Sequence, residues 1–121
     1  MSAAIAGLRE RGAKTAILSN GTPHGIAEAT GRAGIAHLFD ALLSVDAVRR
    51  YKPHPAVYEL ATTRFATSPE RVAFVSSNGW DATGGAEFGF AVHWCNRGGL
   101  PAETFARAPV RVVASLADLL I

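Results

Sequence analysis

Short apolar runs alternate along this chain with longer amphipathic stretches, and the clearest runs end in small polar residues. Lys14-Thr15-Ala16-Ile17-Leu18 gives way to Ser19-Asn20-Gly21-Thr22-Pro23. Val72-Ala73-Phe74-Val75 gives way to Ser76-Ser77-Asn78-Gly79-Trp80-Asp81, and Ala91–Cys95 to Asn96-Arg97-Gly98-Gly99-Leu100-Pro101. Such short runs, bounded by turn formers, predict buried strands. Between them lie helical patterns. Residues 1–12 put Ile5 and Leu8 on one face and stop at Gly12. A second helix is predicted from His24 to Ala33, closed by Gly34. A third opens at Pro55, a residue suited to a first helical turn, and carries Val57, Tyr58, Leu60, Ala61 and Phe65. After Asp81, small residues such as Ala82, Gly84 and Gly85 suit a helix lying close on a sheet, to Phe88.

Phe39 to Val45 predicts a turn leading into a further short strand, and Ser68-Pro69-Glu70 a brief turn. Val110–Val113 predicts a last strand and Ser115–Leu120 a last helix, with Ser115 as N-cap. Strand and helix in alternation predict the α/β class: a doubly wound (Rossmann-like) parallel sheet with helices on both faces, one domain over residues 1–121.

Composition narrows the picture. An apolar share of 49% against 18% charged suits a globular chain, and 121 residues leave room for a modest core. The net charge is only +2, and the 12 Lys and Arg are spread along the chain. Arg49-Arg50, near Lys52, is the one local cluster; a solvated loop is its simpler reading, and no nucleic-acid partner is expected. No apolar run approaches the roughly 20 residues of a membrane span. Residues 1–12 lack the basic start and apolar centre of a signal peptide. The single cysteine, Cys95, excludes an internal disulfide and fits a reducing compartment, so a cytoplasmic protein is expected.

Three polar turns follow strands or lie in an adjoining loop: Ser19-Asn20-Gly21, Lys52-Pro53, and Ser76 through Asp81. In an open parallel sheet these converge on one edge, where ligands bind. Lys52, stiffened by prolines at 53 and 55, is a cation able to neutralise a carboxylate, a phosphate or a developing oxyanion. Ser19 and Asn20 offer donors that suit an anion. Asp81 could position water, hold a metal, pair with Lys52, or simply benefit from a helix N-terminus. Ser76, Ser77 and Asn78 could be no more than a turn and helix cap. The four histidines show no paired metal spacing, and Gly84-Gly85 lies inside a helical stretch, unlike a dinucleotide fingerprint.

At these residues the sequence resembles the haloacid dehalogenase superfamily, and within it the type II (L-2-haloacid) dehalogenases. The second superfamily motif, a strand ending in Ser or Thr, is matched by Ile17-Leu18-Ser19-Asn20-Gly21. The third, a lysine before proline, is matched by Tyr51-Lys52-Pro53-His54-Pro55. The fourth separates the subfamilies. Phosphatases carry Gly-Asp there and a second Asp four residues on, which together hold magnesium. Here Ser76-Ser77 replaces Gly-Asp and only Asp81 remains, a poor site for a hard octahedral cation. The resemblance implies no metal and no cofactor. It implies that Ser19 binds the substrate carboxylate and Asn20 receives halide. Lys52 offsets charge near the nucleophile, Tyr58 lines the site, and Ser76 and Asn78 orient the reacting groups. Asp81 positions the hydrolytic water, and Trp80 walls the substrate pocket unless it is an ordinary core aromatic. The implied partners are a small 2-haloacid and halide, with a homodimer possible in the complete protein and no membrane or nucleic acid.

One departure qualifies the match. The family nucleophile is an Asp in Asp-x-x-x-Thr after the first strand, ahead of a helical cap. The aspartates here are Asp40, Asp46, Asp81 and Asp118, and none precedes Ser19. The expectation is therefore a partial haloacid dehalogenase core, without its first strand and cap, marginally stable and inactive alone. Without that central strand the sheet should be split between the strands ending at Ser19 and Ser76, or those strands should pair directly. A superfamily phosphatase fragment and a degenerate, non-catalytic binding domain stand as alternatives.

Overall fold

Two prolines set helix starts, because a fixed φ and a missing N–H fit the first turn. Pro23 opens a helix running to Arg32, where Thr22 Oγ1 accepts from the Gly25 N–H at 3.0 Å. Pro55 opens a helix running to Phe65. In a computed structural model, residues 2–95 and 111–113 are described. The elements in order are α1 (Ser2–Glu10), β1 (Ala16–Ser19), α2 (Pro23–Arg32), β2 (Ala41–Ser44), α3 (Pro55–Phe65), β3 (Ala73–Ser76), α4 (Gly79–Phe88), β4 (Ala91–Cys95) and β5 (Arg111–Val113). The predicted loop from Asn96 to Pro101 and the helix from Ser115 lie outside the described residues.

Strands and helices alternate as the pattern predicts, with shifts at the ends that have local causes. β1 begins at Ala16 because Thr15 is engaged elsewhere: its N–H donates to Asp40 Oδ2 at 2.8 Å. Arg9 Nη1 reaches the same oxygen at 2.9 Å, pinning α1 to the entry of β2. β2 stops at Ser44, whose Oγ accepts from the Asp46 N–H and starts a single helical turn. Gly12 and Gly34 end their helices with φ of +90° and +70°, values that glycine adopts without strain.

Every strand pairing is parallel, which gives the α/β class. The single sheet expected from the alternation is instead two: β1 beside β2, and β3-β4-β5. β1 and β3 do not pair, so of the two expected outcomes the chain adopts the split. Helix α3 joins the halves, packing against β1 on one side and α4 on the other. The core gathers on the larger half: Tyr58, Ala61, Phe74, Ala82, Ala86, Phe90, Val92 and Trp94, with Leu18 and Leu43 only at its margin. No described helix is long and apolar enough to cross a membrane.

Candidate active site

Ser76 is the last residue of β3, and two residues later the chain enters α4. This turn folds back on its own serine: the Asn78 N–H donates to Ser76 Oγ at 3.2 Å. The Ser76 hydroxyl then donates to Asp81 Oδ2, 2.8 Å away in the first turn of α4. The Lys52 ammonium meets the same oxygen at 3.0 Å, and the Tyr58 hydroxyl donates to Oδ1 at 2.8 Å. Three donors from three parts of the chain thus converge on one carboxylate.

The ion pair is buried, with side-chain exposures of 10% for Lys52 and 5% for Asp81. Buried charges persist only when paired and hydrogen-bonded, and both conditions hold here. Burial, and then the hydrogen bond to and charge of Asp81, push the Tyr58 phenol well above its ordinary range. Tyr58 is therefore a neutral donor at any working pH. Phe74 completes the enclosure, its ring centroid 5.4 Å from Lys52 Nζ in a cation–π contact.

The second polar turn is tied in through backbone. The Lys52 N–H donates to Asn20 Oδ1 at 2.9 Å, across 32 residues of sequence. That donor takes the carbonyl oxygen of the amide, so the Asn20 NH2 group is not used in this bond. Ser19 Oγ accepts from the Gly21 N–H at 2.9 Å, closing its own turn. Ser44 Oγ donates to the Gly21 carbonyl at 2.6 Å, which fastens this turn to the end of β2.

Of the eight residues singled out from the sequence, Lys52, Tyr58, Ser76 and Asp81 are in direct contact, and Asn20 is bonded to the Lys52 backbone. Ser19 stands next to Asn20 at the end of β1. Two of the simpler readings fail. Asn78 occupies the N-cap position but makes no side-chain capping bond, and the Ser76 hydroxyl goes to Asp81, so the turn is more than a cap. Trp80 is 46% exposed and is not a core aromatic. Trp94 takes that place, with its Nε1–H donating to the Ser77 carbonyl at 3.3 Å. Phe74 was not singled out, although a signal existed: residues two apart share a strand face, so Phe74 lies under the same edge as Ser76.

Among the described residues no three His, Cys, Asp or Glu side chains gather as metal ligands. Asp81 is the sole carboxylate of the cluster and already has a cation on it. A cleft of about 390 Å³ lies elsewhere, lined by Pro23, Leu42, Leu43, Ser44, Asp46, Ala47 and Leu60, and includes none of the eight residues. What the cluster offers is a positive charge fixed on a buried carboxylate beneath a sheet edge. Such a charge stabilises an anionic nucleophile or transition state without reorganising.

The chain is also similar to known proteins. A family profile for haloacid dehalogenase-like hydrolases matches residues 1–89. The (S)-2-haloacid dehalogenase 2 of Pseudomonas sp. (strain CBS-3) is 44% identical over 116 residues, which are 96% of this chain and 51% of that protein. A crystal structure of an L-2-haloacid dehalogenase superposes with a TM-score of 0.94 at 46% identity, covering 98% of this chain and 52% of the other. The L-2-haloacid dehalogenase of Xanthobacter autotrophicus, solved with chloropropionic acid covalently bound, superposes at 0.89 with 38% identity, covering 98% and 57%. The chain spans about half the length of the curated relatives it matches.

Proposed function

The chain belongs to the haloacid dehalogenase-like hydrolases, and on that premise we propose that it carries the lysine side of an (S)-2-haloacid dehalogenase site. The reaction is hydrolytic cleavage of the carbon–halogen bond of a small L-2-haloacid. A carboxylate oxygen attacks C2 and halide leaves with the bonding pair. Water then attacks the carbonyl carbon of the resulting ester, releasing a D-2-hydroxyacid and restoring the carboxylate. The carrying observation is the Lys52 ammonium fixed on one buried carboxylate, with Ser77 at the position where a magnesium phosphatase needs a second. In this reading Lys52 offsets the charge of the nucleophile, and Asp81, held by Ser76 and Tyr58, keeps Lys52 in place and orders the attacking water. Ser19 takes the substrate carboxylate, the NH2 of Asn20 receives the halide, and exposed Trp80 forms a wall of the pocket. Asn78 helps orient the nucleophile.

Asp40 is engaged by Arg9 and Thr15, Asp81 by three donors, and Asp46 lines the cleft that includes none of the eight site residues, so no described aspartate is placed to attack beside Lys52. The reading assigns that carboxylate to a part of such a protein that these 121 residues do not span. Substrate and halide are then the small-molecule partners, and the cytoplasm suits the buried, unbridged Cys95. The test is halide release from the two enantiomers of 2-chloropropionate by the protein that carries this chain, with and without a chelator. Release from the (S) form alone, undiminished by chelation, is expected. Magnesium-dependent phosphate release from a small phosphoester, without halide release, would replace this reading with the phosphatase one.

A further inference from the structure

A glycine one turn beyond Asp81 has no role in the chemistry above, yet it lies where α4 meets both partners of that carboxylate. We propose that Gly84 is a positioning residue: its missing side chain lets Tyr58 and the Lys52-Pro53 loop approach α4 closely enough to bind Asp81 together. A Cβ built at Gly84 would stand 2.5 Å from the Tyr58 hydroxyl oxygen and 2.7 Å from Pro53 Cβ. Both distances are far inside van der Waals contact, and neither neighbour can yield cheaply. Tyr58 is fully buried, its ring edge-on to Phe74 at 5.6 Å and to Phe90 at 5.7 Å. Pro53 is a closed ring directly after Lys52. Relief therefore requires α4 to move off Tyr58, off the loop, or off both. Residues three apart share a helix face, so that motion carries Asp81 away from the same two groups. The tightest contact is with the Tyr58 hydroxyl, so the 2.8 Å bond from Tyr58 to Asp81 is lost.

Helix propensity alone predicts the opposite sign, since alanine is the better helix former and a Gly→Ala change inside a helix ordinarily stabilises. Gly31 in α2 provides the control, because nothing lies within 4 Å of a Cβ built there.

The chain has two tyrosines, and they differ sharply: Tyr51 is 71% exposed and Tyr58 fully buried. Tyrosinate absorbance on alkaline titration therefore separates them. In the unsubstituted chain burial and Asp81 hold the Tyr58 phenol above its ordinary range. Gly84→Ala is expected to bring Tyr58 ionisation to lower pH while far-ultraviolet circular dichroism is retained; Gly31→Ala is expected to change neither. On the dehalogenase reading, on which only this arm rests, Gly84→Ala also lowers kcat for halide release by about a hundredfold with KM little changed. A folded Gly84→Ala protein with the unsubstituted tyrosine titration overturns the proposal. Should Gly84→Ala fail to fold, the double variant Tyr58→Phe/Gly84→Ala, which lacks the nearest clashing atom, is expected to regain a cooperative transition. Equal unfolding of both variants overturns the proposal as well. Absence of halide release from the protein that carries this chain, without substitution, sinks the proposed function and leaves the titration result standing.

Discussion

The two sheets are built from the same kind of strand yet are packed differently. In β3 and β4, Phe74, Ser76, Val92, Trp94 and Cys95 are buried, and α3 and α4 contribute Tyr58, Ala61, Ala82 and Ala86 to one core. In β1 and β2 the aliphatic residues Ile17, Leu18, Leu42 and Leu43 are only partly covered. Parallel strands ordinarily have both faces covered, and on β1 and β2 that cover is incomplete. The site is divided along the same line. Lys52, Tyr58, Ser76 and Asp81 are locked into the packed half, whereas Ser19 and Asn20 sit at the end of the thinly packed one. The Lys52–Asp81 side is thus preorganised by its own core, and the Ser19-Asn20 turn is tied to it by a backbone bond from Lys52 to Asn20 and by the packing of α3 on β1.

Several changes would break or sharpen this contrast. Lys52→Ala leaves Asp81 buried without its cation, and loss of one partner of a buried pair costs about 3–5 kcal/mol. Urea denaturation should register that loss, and halide release should vanish with it. Phe74→Ala empties the packed half and is expected to cost about 3–5 kcal/mol, whereas Leu18→Ala or Leu43→Ala should cost nearer 1–2 kcal/mol because those side chains are partly exposed already. Equal losses in the two halves would show a shared core and dissolve the contrast.

Tyr58→Phe removes a hydrogen bond to a charged group, a loss of about 1.5–3 kcal/mol. It should also alter the response to alkali. The folded protein keeps the Tyr58 proton above the ordinary tyrosine value of 10.0, where the unfolded chain releases it. That contribution is fully present below 10.0 and is lost as pH rises beyond it, so melting temperatures of the phenylalanine variant should fall less steeply in alkali. The smallest effect belongs to Asp40, in the thinly packed half. The Thr15 N–H, with Arg9 and Lys14, holds its carboxyl below the ordinary 3.8. Its stabilisation is present above 3.8 and fades as pH falls through the lower folded value. Asp40→Asn should therefore lower stability slightly at neutral pH and change it least in acid, which flattens the acid side of the stability profile; an unaltered acid limb would show that this carboxyl plays no part in it.

Much of this was readable in the order of residues. Short apolar runs, Pro55 at a helix start, and glycines at helix ends depend on local backbone chemistry, and each placed its element within a residue or two. The polar turns after β1 and β3 were legible for the same reason. The division into two sheets was legible only as one of two outcomes, since pairing depends on which edges meet in space.

The sequence by itself determined the alternation of strand and helix, the parallel class, and the positions where polar side chains could gather, because these follow from periodicity and from turn chemistry over a few residues. It left open whether Asp81 pairs with Lys52 and whether Trp80 is a core aromatic. Tertiary structure decided these. Lys52 and Asp81 are 29 residues apart and Tyr58 and Asp81 are 23, and nothing local couples such positions until α3 and α4 pack together. The same packing buried Trp94 on a strand and left Trp80 exposed on a helix. An ion pair inside a core forms only where desolvation and attraction are balanced by surrounding donors, and that balance is a property of the assembled half rather than of any segment.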